Sequence, residues 1–229
     1  MALLLYERAG AYDLRVSPYC WRARLALEHK GLVAESIPIF YFETEKVPFR
    51  NVGNLPVLSD GGRKIEGTWE IADHLDRAYP ERPALMRCPE ARALARFMGS
   101  WADNVLIPGL MRVVLPDFLE RLHVKDRERY RQSREAWVGA TVGQMRANRT
   151  TYLTDLCCSL APLRSALAVQ PFLGGDAPSY ADYVPYTAFV WAWFASEQPV
   201  LAEDDPLQGW LARMQDRFEG LPRSLPAAA

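Results

Sequence analysis

The first third of the chain alternates between strand-like and helix-like patterns, and this alternation most constrains its fold. Short apolar runs typical of strands flank one stretch with helical spacing, and a second helical stretch closes the region. Asp60-Gly61-Gly62 is a hairpin signal between two of the runs. The expected elements are strand Leu3 to Glu7, helix Pro18 to His29, strand Glu35 to Phe40, a loop through Glu43 to Asn51, strands Pro56 to Ser59 and Arg63 to Glu66, and helix Thr68 to Ala78.

The pattern changes after a segment with two prolines, Tyr79 to Leu85, which predicts a linker. Beyond Cys88 strand signals nearly vanish, and apolar residues recur at the three-and-four spacing of amphipathic helices. The order of the first elements fits a thioredoxin-like domain. We therefore predict an α/β thioredoxin-like domain at 1–80, a linker at 81–89 and an all-α domain at 90–229, with helices near 90–121, 126–147, 153–168, 180–195 and 206–219 and a loose tail at 225–229.

Composition excludes several classes of function. The chain has 229 residues, 49% of them hydrophobic, which is enough for a sizeable core, and its net charge is −1. Neither half offers the strongly basic surface that nucleic acid demands, so no nucleic-acid partner is expected. No apolar run approaches the ~20 residues of a membrane span. The N-terminal apolar run is broken by Glu7 and Arg8, which predicts a strand rather than a signal peptide, and a cytoplasmic protein.

The four cysteines show no metal or disulfide pattern. They are irregularly spaced and lack histidines at metal-ligand intervals, so neither a zinc site nor a disulfide framework is expected. Cys157 and Cys158 are adjacent in a predicted helix and are interpreted as buried small apolar residues. Cys20 is expected to be a buried, inert thiol, with mixed-disulfide formation as the alternative. None of the three histidines is assigned a role.

The motif Ser17-Pro18-Tyr19-Cys20 carries the clearest chemical signal. Ser17 is a good N-cap and Pro18 suits the first helical position, so a helix is expected to begin directly after the hydroxyl. The amides of its first turn and the positive end of its dipole then point at whatever lies over Ser17. A serine is a poor redox centre, but it can donate a hydrogen bond to a sulfur that a substrate brings. The motif therefore predicts a thiolate-binding site.

Two later turns of the chain contain candidate contacts for the same ligand. Pro56 opens a strand directly after a turn, and a cis peptide bond at Leu55-Pro56 would expose the backbone of Leu55 to a cysteine-containing peptide. An ordinary trans proline is the alternative. Glu66-Gly67-Thr68 leads into the next helix, where Thr68 is the expected N-cap and its hydroxyl can bind a carboxylate. The alternative is that Thr68 only caps its own helix.

A fourth motif is structural. Ser179 and Asp182 stand at capping-box spacing ahead of a strongly apolar helix. The hydroxyl and the carboxylate are expected to satisfy the first amides of that helix, which is predicted to be buried in the all-helical half.

These four motifs, in this order and spacing, resemble those of the cytosolic glutathione transferases over nearly the whole chain. The resemblance implies a glutathione-binding domain, a helical domain that completes a pocket for an electrophilic substrate, and a homodimer. Ser17 matches the catalytic serine of the zeta and theta types. Within the family, the pattern is most similar to the bacterial β-etherase type that acts on lignin-derived aryl ethers. The residues that carry this finer likeness are SPYxWR from Ser17, Gly31, Leu173 to Asp176, Ala181 to Tyr183 and Glu203 to Leu207.

The resemblance also assigns residues to the two substrates. Contacts to glutathione are expected from Leu55, Pro56, Glu66, Gly67 and Thr68. Gly67 is a departure, because the family usually has an acidic residue there, and Glu66 is one position earlier. The electrophile pocket is expected between the domains, and its candidate residues are Tyr19, Phe40, Tyr41, Trp101 and Met111. No metal is implied.

Two other readings use the same residues. One is a noncatalytic member of the fold that binds a hydrophobic ligand or a protein partner. This alternative stays open because position 67 is a glycine and lacks the acidic side chain that is usual in the family. The other is a glutathione-dependent thiol reductase, which would have to act through Cys20 because a serine cannot form the mixed disulfide.

Overall fold

The protein is described by a computed structural model that covers residues 2–11, 14–49, 54–217 and 220. The first part is a four-stranded mixed sheet with two helices, which confirms the predicted thioredoxin-like fold. Its elements agree with the prediction to within one residue at each end: β1 (Leu3–Arg8), α1 (Pro18–His29), β2 (Ala34–Ile39), β3 (Val57–Asp60), β4 (Arg63–Glu66) and α2 (Thr68–Ala78). A short 3-10 helix, Tyr41–Lys46, occupies part of the expected loop, and residues 50–53 lie outside the described residues.

The sheet has the strand order β2-β1-β3-β4. The crossover through α1 makes β1 and β2 parallel, with Leu3 beside Ala34, whereas the hairpin at Gly61 and Gly62 makes β3 and β4 antiparallel. β3 also pairs antiparallel with β1, so β1 lies in the interior of the sheet. The segment that leads into α1 pairs with the residue after β1, through Ala9 and Arg15, so Ser17 lies near the C-terminal end of β1.

A buried ion-pair network holds this end of β1 in place. Glu7 of β1 is fully buried, and its carboxylate accepts hydrogen bonds from Arg15 Nε at 3.1 Å and from Arg24 Nε at 2.7 Å. Ser36 of β2 also donates its hydroxyl to Glu7. Because a buried carboxylate is tolerated only when it is paired, this network ties β1, β2 and α1 into one unit around Ser17.

The rest of the described chain is helical. Its helices are α3 (Pro89–Trp101), α4 (Ile107–Arg121), α5 (Val124–Val138), α6 (Val142–Ala147), α7 (Arg149–Ser159), α8 (Ala161–Leu167), α9 (Tyr180–Ala195) and α10 (Leu207–Gln215). α9 matches its prediction, and α10 is shorter than the predicted 206–219, of which 218 and 219 lie outside the described residues, as does the predicted tail at 225–229.

For three segments, the prediction of one continuous helix was wrong. The expected helix at 90–121 contains a π-helical segment, Ala102–Leu106, between α3 and α4. The helix at 126–147 is divided because Gly139 adopts a left-handed conformation at the end of α5, with φ of 70°. The helix at 153–168 starts at Arg149 and is divided before Pro162, which has no N–H to continue the hydrogen-bond ladder.

α9 forms the centre of the helical part and packs against α1, α3 and α4. Every residue of this helix except Trp193 is buried. The capping box predicted from Ser179 and Asp182 is confirmed at its start. From this end of α9, Tyr180 donates its backbone N–H to Leu85 O at 3.1 Å and its hydroxyl to Thr68 O at 2.8 Å. The N-terminus of α9 thus holds the start of α2 in place.

Candidate functional site

Ser17 is the N-cap of α1, as predicted. Its backbone is extended, with φ of −108° and ψ of 123°, and its Oγ accepts a hydrogen bond from the Cys20 N–H at 3.4 Å. This contact uses a lone pair of the hydroxyl oxygen and leaves the hydroxyl proton for a ligand. Pro18 occupies the first turn, where a missing N–H costs nothing.

Two side chains of α1 fix the position of Ser17. Trp21 is fully buried, donates its ring N–H to Arg15 O at 2.9 Å, and stacks on Phe194 of α9. Arg22 is also buried and forms an ion pair with Asp103 of the π-helical segment at 2.9 Å. The helix that presents Ser17 is therefore anchored in both halves of the chain.

Cys20 is fully buried, as predicted, and its sulfur accepts a hydrogen bond from the Arg8 N–H at 3.3 Å. Burial, with the nearby Glu7 charge, raises the pKa of the Cys20 thiol to about 12. The thiol is therefore protonated at neutral pH. The interpretation of Cys157 and Cys158 as buried was wrong, because Cys157 is half-buried and Cys158 is exposed; adjacent residues of a helix point in different directions, and only one face of α7 is covered.

The turn before β3 contains a cis peptide bond at Leu55-Pro56. Leu55 and Pro56 are both buried, and they line the same cavity as Ser17. Glu66 borders this turn, because its Oε1 accepts a hydrogen bond from Asn54 N–H at 3.1 Å and its Oε2 lies 2.6 Å from Lys64 Nζ. The loop before Pro56 and the end of β4 thus form one wall.

Gly67, rather than Thr68, is the N-cap of α2, which corrects the prediction. Gly67 has φ of 101°, a conformation that glycine adopts without steric cost and that an acidic side chain rarely adopts. A Cβ at this position would also lie 2.2 Å from Glu70 Oε2. Thr68 is consequently the first residue of the helix, and no side chain of the described residues caps α2. The amides of this 11-residue helix's first turn remain for a ligand.

One cavity of about 560 Å³ joins these features. Its size is in the range of small-molecule sites. Of the residues predicted from the sequence, it is lined by Ser17, Tyr19, Tyr41, Leu55, Pro56, Glu66, Gly67, Thr68 and Met111.

Phe40 and Trp101 do not line this cavity. Phe40 stacks on Phe42 with ring centroids 5.5 Å apart and lies against His123. Its backbone is extended, so its side chain projects away from that of Tyr41. Trp101 is half-buried and packs against the helical core.

Nine further residues line the cavity that the sequence analysis did not assign to it: Arg8, Val16, Pro18, Asn54, Ile107, Tyr130, Arg134, Trp137 and Trp191. Three of them, Tyr130, Arg134 and Trp137, are on α5 at spacings of four and three, which places them on one helix face. That spacing was a usable signal in an otherwise highly charged helix.

The hydroxyls of Tyr19 and Tyr41 in the cavity stay neutral. Burial raises the pKa of Tyr19 and raises the pKa of Tyr41 well above its usual value. The two hydroxyls can therefore donate hydrogen bonds at neutral pH but cannot act as anions there. Ser17, by contrast, presents its hydroxyl at the N-terminus of α1.

The described part of the chain contains no cluster of three or more His, Cys, Asp and Glu side chains that could hold a metal ion. Among the same residues, no helix combines the length and the apolar character needed to cross a membrane.

Comparison with known proteins identifies relatives. The chain is similar to glutathione S-transferase Z1 of Arabidopsis thaliana, with 33% identity over 141 residues, which span 59% of this chain and 61% of that protein, less than two thirds of its length. It is similar to glutathione S-transferase omega-1 of Mus musculus, with 24% identity over 217 residues that span 89% of this chain and 75% of that protein.

Solved structures share the fold. A glutathione S-transferase of Ceriporiopsis subvermispora, crystallised in complex with glutathione, aligns with a TM-score of 0.82 at 22% identity and 100% coverage of both chains. A theta class glutathione S-transferase from Xanthomonas axonopodis pv. citri with glutathione bound aligns with a TM-score of 0.66 at 24% identity, covering 99% of this chain and 98% of that one. Family models for the N-terminal and the C-terminal domain of glutathione S-transferase match residues 12–83 and 93–220. The chain therefore belongs to the glutathione S-transferase family.

Proposed function

We propose that the protein is a glutathione S-transferase in which Ser17 stabilises the thiolate of glutathione for attack on a hydrophobic electrophile. The observation that carries this proposal is the position of the Ser17 hydroxyl. It lies at the N-terminus of α1 and lines a cavity together with the cis-proline turn, the start of α2 and several aromatic side chains.

This arrangement can supply the free energy that is needed to form the thiolate of glutathione at neutral pH. A thiol with a pKa near 8.5 is mostly protonated at neutral pH, and lowering that pKa by about two units needs roughly 3 kcal/mol. A hydrogen bond from a hydroxyl to a charged group contributes ~1.5 to 3 kcal/mol, and a helix N-terminus adds up to ~2 kcal/mol in a partly buried site. Ser17 and α1 together suffice.

The rest of glutathione is assigned by its chemistry. The backbone of Leu55 pairs with the cysteine residue of glutathione as an added strand does. The uncapped first turn of α2 and the hydroxyl of Thr68 bind the γ-glutamyl carboxylate. Glu66 is the carboxylate on this wall that can meet the γ-glutamyl amine, in place of the acidic residue that Gly67 replaces.

The reaction is a nucleophilic substitution. The thiolate forms a C–S bond with the electrophilic carbon, and the leaving group departs with the electron pair of the bond that breaks. Holding the two reactants in line supplies much of the acceleration. If the electrophile is a β-aryl ether, the broken bond is the C–O bond, a phenoxide leaves, and the product is a glutathione thioether. The likeness to the β-etherase type supports this finer assignment.

Family membership also supports a homodimer in the cytoplasm. The alternative of a noncatalytic ligand-binding member shares the cavity but predicts no turnover. A thiol reductase would need Cys20 as its nucleophile, and burial of this thiol together with its raised pKa opposes that role.

The test compares wild type with Ser17→Ala in the conjugation of glutathione to chlorodinitrobenzene, with Ser100→Ala, an exposed serine of α3, as the matched control. We expect kcat/KM to fall about 10- to 100-fold in Ser17→Ala, as the loss of one charged hydrogen bond requires, and to stay unchanged in the control. Equal activity of Ser17→Ala and wild type would refute the proposal. Glutathione binding without turnover would favour the ligand-binding alternative, and phenol release from a β-aryl ether tests the finer assignment.

A further inference from the structure

Two guanidinium groups line the cavity, and the proposed reaction uses neither. Arg8 is at the end of β1 and Arg134 is on the inner face of α5. Among the described residues, neither has a carboxylate partner within ion-pair distance. The Arg8 side chain donates to Phe40 O at 3.1 Å. Asp126, near Arg8, is buried and accepts a hydrogen bond from Tyr41 N–H at 3.1 Å.

Both guanidinium groups lie over tyrosine rings that contact each other. Arg8 lies 4.5 Å from the centroid of the Tyr41 ring, and Arg134 lies 4.6 Å from that of the Tyr130 ring. The Tyr41 and Tyr130 rings meet edge to face, with centroids 5.1 Å apart. A guanidinium stacked on a ring keeps its in-plane N–H donors available for hydrogen bonds. The two cations therefore flank one aromatic surface.

Arg134 also has a donor without an acceptor. Its Nε is buried and makes no hydrogen bond within the described part of the chain. Arg22 also has a buried Nε without a hydrogen-bond partner, but its Nη2 pairs with Asp103, whereas no carboxylate among the described residues pairs with Arg134. A buried donor left unpaired is costly, and an acceptor group of a ligand in the cavity would satisfy it.

We propose that the electrophile carries a carboxylate, which Arg134 and Arg8 bind while its apolar body lies against the aromatic and aliphatic lining. This inference rests on the proposed glutathione transferase function and names the class of its second substrate. The planar fork of a guanidinium matches a carboxylate, which it binds with two parallel hydrogen bonds. Tyr19 and Tyr41 also line the cavity, and their neutral hydroxyls are further donors.

The charge balance favours this assignment. A thiolate and an anionic electrophile repel each other when they are brought together in a cavity of low polarity. Two guanidinium groups at the far end of the electrophile offset that repulsion. The carboxylate takes no part in the bond changes, since the thiolate still forms the C–S bond and the leaving group still departs with its electron pair.

Glutathione itself has carboxylates, and the experiment must separate them from that of the electrophile. We would measure kcat/KM for chlorodinitrobenzoate and for the neutral chlorodinitrobenzamide, each divided by its uncatalysed rate constant with glutathione. The variants are Arg134→Gln and Arg8→Gln. The matched control is Arg129→Gln, which removes one exposed charge from the same helix as Arg134.

Wild type is expected to prefer the benzoate about 10- to 100-fold, the range for a charge-assisted contact. Each cavity variant is expected to lose about 10-fold or more of this preference with the KM for glutathione unchanged, and Arg129→Gln is expected to keep it. An equal preference in wild type for the two electrophiles would overturn the inference. A rise in the KM for glutathione with no change in preference would assign the arginines to glutathione and overturn it as well.

A binding measurement keeps the test independent of turnover and of folding failures. Calorimetry would compare the affinities of the benzoate and benzamide conjugates of glutathione for wild type and for Arg134→Lys, which keeps the charge but loses the fork. Tighter binding of the benzoate conjugate, weakened in Arg134→Lys, supports the inference even if the protein catalyses nothing. Equal affinity of the two conjugates for wild type contradicts it even if the protein is an active transferase.

Discussion

Removing the carboxylate of Asp182 should destabilise the protein more than most single substitutions. Asp182 is fully buried and accepts five hydrogen bonds. The donors are Leu173 N–H at 2.6 Å, Gly174 N–H at 2.9 Å, Ser179 N–H at 3.0 Å and Oγ at 3.3 Å, and Trp210 Nε1 at 3.2 Å. The carboxylate thus joins the loop before α9, the cap of α9, and α10.

The magnitude follows from these donors. Each buried donor left without an acceptor costs about 1 to 3 kcal/mol, and those near the surface recover part of this from water. We therefore expect Asp182→Ala to lower the free energy of unfolding by about 3 to 5 kcal/mol. For a chain of this size, that corresponds to a fall in Tm of roughly 6 to 20 °C.

The assay is urea unfolding followed by tryptophan fluorescence. Asp176→Ala is the matched control, because Asp176 is an exposed carboxylate of the same loop, and it should unfold like wild type. Asp182→Asn should lie between the two, since the amide keeps one acceptor but turns its NH2 group toward donors. A loss of less than about 1 kcal/mol in Asp182→Ala would refute the role given to this network.

Two further predictions concern titrating groups. At pH 8, iodoacetamide should modify the exposed Cys158 and leave Cys20 unmodified, because burial raises the Cys20 pKa to about 12; rapid labelling of Cys20, read by peptide mass spectrometry, would contradict the inert-thiol interpretation. Burial lowers the pKa of His29, so His29 takes up a proton at a higher pH in the unfolded chain than in the folded chain. The contribution of neutral His29 to the free energy of unfolding is therefore complete above about pH 6.5, and it is lost as the pH falls toward the lower pKa of the folded state. The difference in unfolding free energy between wild type and His29→Gln should accordingly shrink from pH 7.5 to 5.5, whereas a difference that stays constant over this range would show that the lowered pKa is wrong.

The His29 contacts show what a sequence leaves out. The ring joins α1 to the second half of the chain, with Nδ1 2.6 Å from Tyr183 Oη and Nε2 3.1 Å from Ala84 O. Because a carbonyl only accepts, Nε2 carries the proton and Nδ1 accepts from the tyrosine. These partners are far apart in sequence, so no local pattern assigned His29 a role.

Features with a local cause were predictable. Ser17 with Pro18, and Ser179 with Asp182, determine where α1 and α9 begin, because a cap is a matter of neighbouring residues. The cap of α2 was missed because Gly67 acts through its positive φ rather than through a side chain. Local signals therefore predicted helix ends better when a side chain formed the cap.

The electrophile side of the cavity depends on packing that the sequence does not reveal. Phe40 and Tyr41 are neighbours, yet Tyr41 lines the cavity and Phe40 does not. The spacing of Tyr130 and Arg134 placed them on one helix face, but only the packing of α5 determines that this face lines the cavity. Chemistry-bearing residues near the start of α1 could be predicted, whereas those contributed by α5 required the tertiary structure.

The central claim is that Ser17 lowers the pKa of the thiol of bound glutathione. The most direct measurement is a pH titration of the ultraviolet absorbance of the thiolate, with saturating glutathione on wild type and on Ser17→Ala. We predict an apparent pKa about two units below the usual value of roughly 8.5 in wild type, and a pKa higher by about one to two units in Ser17→Ala, which keeps only the N-terminus of α1. An equally low pKa in both proteins, or an unshifted pKa in wild type with glutathione bound, would contradict the claim.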